Sequence, residues 1–368
     1  MKKIIAVVLF LLLTIVVVFY FCLQSITQKI FIPPAKTVTA SKNTIQQSLD
    51  DKTPINILLL GYGGGDHDGA YLTDSIITVH IDPGTQKIFL ISIPRDIWIK
   101  IPTNGEEGSY SKINAAYQIG LDDINYPDKQ EKFSGPGGGA KLAEYAVSQV
   151  TGLSTNFFVG IDFSGFTKTI DTLEGVDIAV NKAFDDYEYP IQGKETDACG
   201  LAETEIASLS AQLASPSAEL SQLDAFPCRY EHLHFNAGQQ HMDGTTALKY
   251  VRSRHSLQDG TDFGRAQRQR NLLVAVKQKI FSVGFIPQAL PFMNSLGDNL
   301  RTDLSLDDVR ILLQNASLLE KYKIISLALT DENLLQDAVS TDGQSILESK
   351  DGEGNWTSIH DWLVNEFN

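Results

Sequence analysis

Short apolar runs and helical spacings alternate along the middle of the chain. An uninterrupted apolar run over residues 55–60, which ends at Gly61, predicts a buried central strand. Further strands are predicted at residues 75–81, 87–93, 157–161, 176–180 and 324–329, and helices at residues 140–150, 163–173 and from 262 or 263 onwards. This alternation favours an α/β fold, and we expect an α-β-α sandwich with a central mixed sheet.

The start of the chain has a different pattern. Residues 4–23 carry no charge and directly follow Lys2 and Lys3. As a helix this run spans about 30 Å, the thickness of the hydrocarbon core of a bilayer. No small-residue cleavage site ends the run, so we expect a retained signal anchor with one transmembrane helix. The charged start predicts a single-pass protein of the cell membrane whose body is extracytoplasmic.

Changes in composition predict the organisation of the chain. Residues 1–23 are predicted to be a cytoplasmic tip and the transmembrane anchor, and residues 24–53 a polar extracytoplasmic stalk. Residues 54–340 form the predicted folded domain, and residues 341–368 a C-terminal tail. Within the domain, residues 183–231 contain ten acidic residues and are expected to be an insertion outside the core sheet.

Charge and cysteine content exclude several classes of protein. The chain has 368 residues, with 45 acidic against 30 basic ones and a net charge of −15, which argues against a nucleic-acid binder. Its three cysteines are too few for a disulfide scaffold. In an exported domain we expect Cys199 and Cys228 to form a disulfide, which would contribute about 3–4 kcal/mol in the chain-entropy model. The alternative is two unrelated buried thiols.

A glycine-rich loop, residues 61–69, follows the first predicted strand and is a candidate ligand site. Glycines let the backbone approach a ligand closely at the strand ends where α/β sheets bind ligands. Asp66, Asp68 and Asp74 offer the oxygen ligands that Mg²⁺ prefers. The alternative is that these aspartates serve only turns and helix caps.

Arg95 is a second candidate, because Pro94 ends the third predicted strand just before it. If the first and third strands are parallel neighbours, Arg95 lies at the same sheet edge as the glycine-rich loop. The alternative is a surface pair between Arg95 and Asp96.

A basic segment is the third candidate. Residues 249–270, which we call the arginine segment, contain Lys249, Arg252, Arg254, Arg265, Arg268 and Arg270 against Asp259 and Asp262. Arg252 and Arg254 are two positions apart, so on an extended segment they point the same way. Guanidinium groups match the geometry of phosphate oxygens. The segment therefore predicts a site for a phosphate or a pyrophosphate, with a divalent ion held by the carboxylates.

Helical spacing predicts which arginines of this segment point inward. Arg265 and Gln269 share a face with an apolar stripe formed by Leu273, Val276 and Ile280. An inward arginine needs an anion or a carboxylate, and Asp262 is either that partner or the helix cap. Off this face, and expected to be solvated, are Arg268, Arg270 and Lys277.

Several ordered motifs together resemble the LytR–CpsA–Psr family of cell-envelope proteins, from about residue 56 to residue 280. They are LTDSI at 72–76, SIPRD at 92–96, KINAAY at 112–117, GV at 175–176, HMDGTTALKYVRSR at 241–254 and DFGRAQRQ at 262–269. The resemblance implies transfer of a glycopolymer phosphate from a polyprenyl-pyrophosphate carrier to a hydroxyl of peptidoglycan, in which polyprenyl phosphate is released.

The resemblance also implies roles for matching residues. Asp74 would bind Mg²⁺ or Mn²⁺, Asp262 would orient an arginine or act near the metal, and Gln269 would contact the head group. Holding the pyrophosphate would fall to Arg95, Arg252, Arg254 and Arg265. The chain departs from the family at Leu72, where an arginine is common. It departs again at residues 61–63, where Gly-x-Asp is common.

Two other functions remain open from the sequence. One is a hydrolase that cleaves the same pyrophosphate with water as the acceptor. The other is a non-catalytic protein that binds or senses the lipid-linked glycan.

Overall fold

The computed structural model describes residues 45–65, 69–105, 107–213, 220–260, 262–281 and 299–368. The predicted anchor, residues 1–23, and most of the predicted stalk lie outside these ranges. Within them, no helix has both the length and the hydropathy that a membrane span requires.

Strands and helices alternate through the described residues. The strands are β1 (Ile55–Tyr62), β2 (Thr73–Asp82), β3 (Lys87–Ser92), β4 (Trp98–Asn104), β5 (Glu107–Lys112), β6 (Phe157–Asp162), β7 (Val176–Val180), β8 (Phe184–Pro190), β9 (Tyr230–Phe235), β10 (Gly238–Met242), β11 (Leu300–Thr302), β12 (Lys323–Ala328), β13 (Leu335–Val339) and β14 (Ser345–Ser349). The α-helices are α1 (Ile45–Asp51), α2 (Ala115–Leu121), α3 (Gly138–Thr151), α4 (Phe163–Thr172), α5 (Glu203–Leu213), α6 (Gln222–Ala225), α7 (Gly244–Arg252), α8 (Asp262–Phe281), α9 (Leu306–Gln314), α10 (Ala316–Leu319) and α11 (Thr357–Phe367).

The chain divides into two compact units. The first unit comprises Met1–Thr172 and Ile280–Asn368, and the second comprises Leu173–Lys279. The region predicted as one folded domain, residues 54–340, therefore contains the whole second unit and part of the first.

A six-stranded sheet in the order β11-β6-β1-β2-β3-β12 is the centre of the first unit. β1 pairs in parallel with β6, and β3 with β12, whereas the other neighbours are antiparallel. The predicted α/β fold with a central mixed sheet is confirmed. β1 is buried along nearly its whole length, because a central strand covered on both faces exposes neither set of side chains.

The main apolar core of the first unit joins this sheet to helices. Leu58 and Phe89 of the sheet belong to the same buried cluster as Leu142 of α3 and Ile359 of α11. Apolar residues spaced three and four apart give α3 one buried face, as helical periodicity requires.

Both ends of the first unit extend beyond the predicted boundaries. The predicted stalk, residues 24–53, includes α1, in which Ile45 and Ser48 are buried. The predicted tail, residues 341–368, forms β14 and α11 instead, and Leu363 of α11 lies in the core. Both segments contain few apolar residues, but these recur at helical or strand spacing and find partners in the fold.

The second unit contains two small antiparallel sheets, β7–β10 and β8–β9, together with α7 and α8. Phe184, Phe235 and Tyr250 pack ring against ring between β8, β9 and α7. β8, which lies in the acidic region of residues 183–231, pairs with β9 and not with the six-stranded sheet. Helix α5 has no fully buried residue.

Candidate functional site

Strand direction brings the first group of charged residues to one edge of the six-stranded sheet. β1 and β3 run the same way because β2 lies antiparallel between them. Arg95, which follows β3, and the glycine-rich loop after β1 therefore share an edge, although the two strands are not neighbours as the prediction assumed. Asp74, at the start of β2, lies at this edge as well.

Four of these side chains form what we call the sheet-edge cluster: Asp74, Arg95, Asp96 and Lys112. Arg95 donates from Nη1 to Oδ1 of Asp74 in a short ion pair, and its Nε lies 3.4 Å from Oδ2 of Asp96. Lys112 donates from Nζ to Oδ1 of Asp96 at 2.7 Å. Burial alone would lower the pKa of Arg95, but the two carboxylates outweigh it and raise that pKa. The cluster thus balances two cations with two anions.

Backbone hydrogen bonds hold three of the sequence motifs together at this cluster. The amide of Thr73 donates to the carbonyl of Asn114 at 3.1 Å, and the amide of Asn114 donates to the carbonyl of Arg95 at 3.3 Å. Asn114 is buried, so these polar groups need partners inside the protein. The motifs around residues 74, 95 and 114 therefore form one structural unit.

Of the three predicted metal ligands, Asp74 lies within the described residues. Its side chain is 43% exposed, and because Oδ1 binds Arg95, Oδ2 is the oxygen that it would offer. Asp66 and Asp68, the other predicted ligands, lie outside the described residues. Mg²⁺ is usually bound by one or two carboxylates together with water and substrate phosphates. A single hard oxygen from Asp74 fits that requirement.

The arginine segment of the second unit begins on α7. Asp243 caps this helix by accepting a hydrogen bond from the amide of Thr246 at 2.8 Å. Arg252 is the last residue of α7 and is therefore helical. The prediction that Arg252 and Arg254 point the same way assumed an extended segment, which the structure does not have at Arg252. Its Nη1 donates to the hydroxyl of Tyr189 at 3.2 Å.

A buried carboxylate binds the backbone just after α7. Asp186 is fully buried, and its Oδ2 accepts from the hydroxyl of Ser253 at 2.6 Å and from the amides of Arg254 and His255 at 3.1 and 3.2 Å. Its Oδ1 accepts from the amide of Glu188 at 3.0 Å. Asp186 accepts in all four of these hydrogen bonds, as the oxygens of a carboxylate do.

Arg268 was predicted to be solvated, and this prediction is wrong. Its side chain is 2% exposed and packs over the ring of Phe184 at 4.8 Å. Nη1 pairs with Oδ1 of Asp259 at 2.7 Å, and Nη2 donates to the carbonyl of Ser253 at 2.6 Å. A buried guanidinium requires such partners because it always carries its charge.

The buried face of α8 differs from the predicted one by a rotation of about one residue. Leu272 and Ala275 are buried, whereas Leu273 and Val276 of the predicted stripe are only half-buried. Arg265 is buried as predicted. Gln269, Arg270 and Lys277 are half-buried, so the latter two are less exposed than expected. Asp262 is the first residue of α8, and the structure does not describe its side chain.

Cys199 and Cys228 are joined by a disulfide in the second unit, with a Cα–Cα distance of 5.5 Å. The pair therefore follows the first of the two interpretations of the sequence, and not that of two separate thiols.

The structure adds Lys112 and Asp186, to which the sequence analysis gave no role, and it changes the roles of Asp96 and Arg268. Lys112 completes the sheet-edge cluster together with Asp96, and Asp186 and Arg268 both bind Ser253. Lys112 is the charged residue of the KINAAY motif at 112–117. A charged side chain without an assigned role in such a motif could have marked Lys112 as a candidate site residue. Asp186 lies among many other acidic residues of residues 183–231, so no local pattern distinguishes it.

The mixed central sheet with its flanking helices defines an α/β protein. The chain belongs to the LytR_cpsA_psr family, whose model matches residues 20–353. The family resemblance of the sequence motifs is thereby confirmed.

Two relatives and one solved structure are similar to the chain. A protein of Oceanobacillus iheyensis named polyisoprenyl-teichoic acid–peptidoglycan teichoic acid transferase TagU is 28% identical over 74% of this chain and 65% of its own length. A protein of the same name from Enterococcus faecalis is 25% identical over 92% of this chain and 91% of its own. The crystal structure of gbs0355 from Streptococcus agalactiae superposes with a TM-score of 0.58 at 22% identity, and covers 88% of this chain and 91% of its own.

Proposed function

We propose that this protein is a phosphotransferase that moves a glycopolymer phosphate from a polyprenyl-pyrophosphate carrier to a hydroxyl of peptidoglycan. Its family membership and the printed names of its relatives, which are teichoic acid transferases, support this proposal.

The observation that carries the proposal is the burial of basic groups in the arginine segment. Arg252 and Arg254 are half-buried and Arg265 is buried, in a chain whose net charge is −15. Withdrawing guanidinium groups from water costs free energy, which an anionic ligand offsets. Guanidinium forks bind the non-bridging oxygens of phosphate groups in a bidentate manner. A local positive site in a negative protein therefore suits a diphosphate.

The proposed reaction forms one P–O bond and breaks another. The hydroxyl oxygen of peptidoglycan attacks the phosphorus that bears the glycan, and the bond from that phosphorus to the bridging oxygen breaks. Polyprenyl phosphate leaves with the bridging oxygen and the bonding electrons, and the hydroxyl proton passes to solvent. Arg252, Arg254 and Arg265 bind the non-bridging oxygens and stabilise the charge that develops on the leaving phosphate.

The sheet-edge cluster contributes the second part of the proposal. Asp74 holds a divalent ion, Mg²⁺ or Mn²⁺, which when bound neutralises phosphate charge in the transition state. Arg95 orients Asp74 through their ion pair. We assign Arg95 a further contact with the pyrophosphate, Asp262 an orienting role for an arginine, and Gln269 a contact with the head group. We also propose Asp66 and Asp68 as further carboxylate ligands of this ion.

We also propose that residues 4–23 anchor the protein in the cell membrane with the two units outside the cytoplasm. The Cys199–Cys228 disulfide supports this location, because disulfides persist mainly in oxidising compartments.

The test uses the full-length protein in detergent with a lipid-linked glycan, peptidoglycan and Mg²⁺. We expect glycan to become covalently attached to peptidoglycan while polyprenyl phosphate is released, and we expect chelation of the metal to stop both. Release of free glycan phosphate, undiminished by added peptidoglycan, would instead identify a hydrolase. Binding of the lipid-linked glycan without turnover would identify a binding or sensor protein.

A further inference from the structure

We propose that Asp186 is a positioning residue that, through Ser253, sets the direction of Arg252 and Arg254 toward the pyrophosphate. The inference rests on the proposed function for its ligand, but its geometry lies wholly within the second unit. Asp186 belongs to β8, far along the chain from both arginines, and none of the family motifs quoted above includes it.

Ser253 is the point at which this control acts, because it lies between the two arginines and is fully buried. Its hydroxyl donates to Oδ2 of Asp186 at 2.6 Å, and its carbonyl accepts from Nη2 of Arg268 at 2.6 Å. Ser253 therefore binds the anionic Asp186 through its hydroxyl and the cationic Arg268 through its carbonyl. Hydrogen bonds that involve a charged group are shorter and stronger than neutral ones.

The same carboxylate oxygen also binds the amides of Arg254 and His255. Three donors from consecutive residues that converge on one oxygen leave this stretch of backbone little freedom to rotate. The direction of a side chain follows from the dihedral angles of its own backbone, so the network restricts how Arg254 leaves the chain.

The far end of the loop is held by a linked set of contacts. Asp259 binds Nη1 of Arg268 at 2.7 Å, and its amide donates to the hydroxyl of Ser256 at 3.1 Å. Arg268 thereby connects α8 with both ends of the turn that follows α7. The loop from Ser253 to Asp259 is bound at its start and at its end by groups that are not themselves proposed to touch substrate.

This arrangement exceeds what simple packing requires. A buried carboxylate is costly, and a neutral or apolar residue of similar volume would serve a purely structural purpose at least as well. Supporting residues that bind the groups behind a catalytic side chain are the usual way of fixing its geometry. A misplacement of about 1 Å in such a group can cost about 100-fold in rate.

The test compares Asp186→Ala with Asp186→Asn, and uses Asp185→Asn as the control. Alanine removes all four hydrogen bonds of Asp186. Asparagine can turn its amide oxygen toward the three donors of residues 253–255 and lose only the bond from Glu188. Asp185 is the adjacent residue of β8, but its carboxylate binds His232 and His234 instead.

The first readout is the binding of inorganic pyrophosphate with Mg²⁺ to the full-length protein, measured by titration calorimetry. For Asp186→Ala we expect a dissociation constant raised by about tenfold or more at unchanged stoichiometry, the loss expected when one charge-assisted hydrogen bond no longer forms. For Asp186→Asn and Asp185→Asn we expect values within about threefold of the natural protein. A variant that merely unfolds would lower the stoichiometry and leave the dissociation constant unchanged.

The second readout is a double-mutant cycle on kcat/KM with Arg254→Ala. If Asp186 acts through Arg252 and Arg254, the double variant loses less activity than the two single losses combined, because the part transmitted through Arg254 is already gone, whereas independent effects would add. Hydrogen exchange of residues 253–259 should also quicken in Asp186→Ala, while exchange of β1 stays the same.

The outcomes separate the two proposals. If the natural protein binds pyrophosphate and Asp186→Ala binds it equally well, or if the cycle is additive, the positioning role is overturned and the proposed function stands. If the natural protein itself binds no pyrophosphate, the proposed function is overturned. The positioning role of Asp186 is then overturned as well, because it requires that ligand.

Discussion

The two charged regions use their carboxylates in opposite ways. In the sheet-edge cluster, Asp74 and Asp96 contact the cations directly, and the Arg95 side chain is partly exposed. In the arginine segment, the buried Asp186 binds a hydroxyl and backbone amides next to the arginines. The sheet-edge carboxylates fix a cation by charge, whereas Asp186 fixes the stretch of chain from which Arg252 and Arg254 project.

This difference predicts how each region responds to mutation. Ion pairs with solvent access contribute little to stability, about 0–1 kcal/mol, so substitutions in the sheet-edge cluster should alter chemistry more than folding. Breaking a buried charged network costs more, so substitutions around Arg268 should affect both. Assays of activity and of unfolding on the same variants therefore distinguish the two regions.

The largest effect is expected in the arginine segment. Arg252→Ala should lower kcat/KM for glycan transfer by about 100–1,000-fold, because it removes a charged donor from the developing phosphate charge. The free energy of unfolding of Arg252→Ala should stay close to that of the natural protein. Arg310→Ala, which alters an exposed arginine of α9, is the matched control and should retain full activity. Equal activity of the two variants would contradict the role of the arginine segment.

The disulfide provides the largest expected effect on stability. Replacing both Cys199 and Cys228 with serine opens a loop of 29 residues, which should lower the free energy of unfolding of the second unit by about 3–4 kcal/mol. Urea denaturation checks this. Reductant should destabilise the natural protein to a similar extent but leave the double variant unchanged. A reductant effect of equal size in both proteins would mean that the bridge is not the cause.

A more specific effect is expected at the sheet-edge cluster. Asp74→Asn should raise the Mg²⁺ concentration needed for half-maximal activity by about tenfold or more, because it removes the proposed carboxylate ligand and weakens the ion pair with Arg95 that orients it. Arg95 retains Asp96, so folding should be nearly unaffected. Asp331→Asn, at an exposed site, serves as the control. An unchanged Mg²⁺ dependence with lower activity would point to Asp74 as a partner of Arg95 only.

Sequence patterns located the strands well and the polar network poorly. β7 has the predicted bounds, and β3 and β6 agree within one residue, because the period of burial is local information. β2 begins two residues before its predicted start, since Thr73 pairs with Tyr62 of β1 across a register shift. Such a partner cannot be read from the segment itself.

Helix α8 illustrates why a correct element can still present an unexpected face. Two apolar stripes one residue apart are available, and the tertiary environment selects the one with Leu272. That choice buries Arg268 against Phe184 and Asp259, which lie elsewhere in the chain. Periodicity finds the helix, but only the packing of the second unit decides which arginine is solvated.

Two histidines extend the comparison of the two units to pH. His80 of β2 is buried in the first unit, with Nδ1 2.7 Å from Oδ1 of Asn56 and its ring stacked on Phe367. Burial lowers the pKa of His80 below 6.5, although Asp82 opposes the shift. His234 of β9 lies on the surface of the second unit, where a hydrogen bond to the carboxylate of Asp185 is the main cause that raises its pKa above 6.5.

The two shifts predict opposite effects of pH on stability. The unfolded chain binds a proton at His80 more readily than the folded one, so this contribution is complete above pH 6.5 and is lost as the pH falls. For His234 the folded chain binds the proton more readily, so its smaller contribution is present below pH 6.5 and is lost as the pH rises through the folded pKa. Urea unfolding between about pH 5 and pH 8 checks both signs with His80→Gln and His234→Gln, which do not titrate there. The stability difference between the natural protein and His80→Gln should grow with pH, whereas that for His234→Gln should shrink. A difference that is constant with pH for either variant would mean that the protonation of that histidine is not coupled to folding.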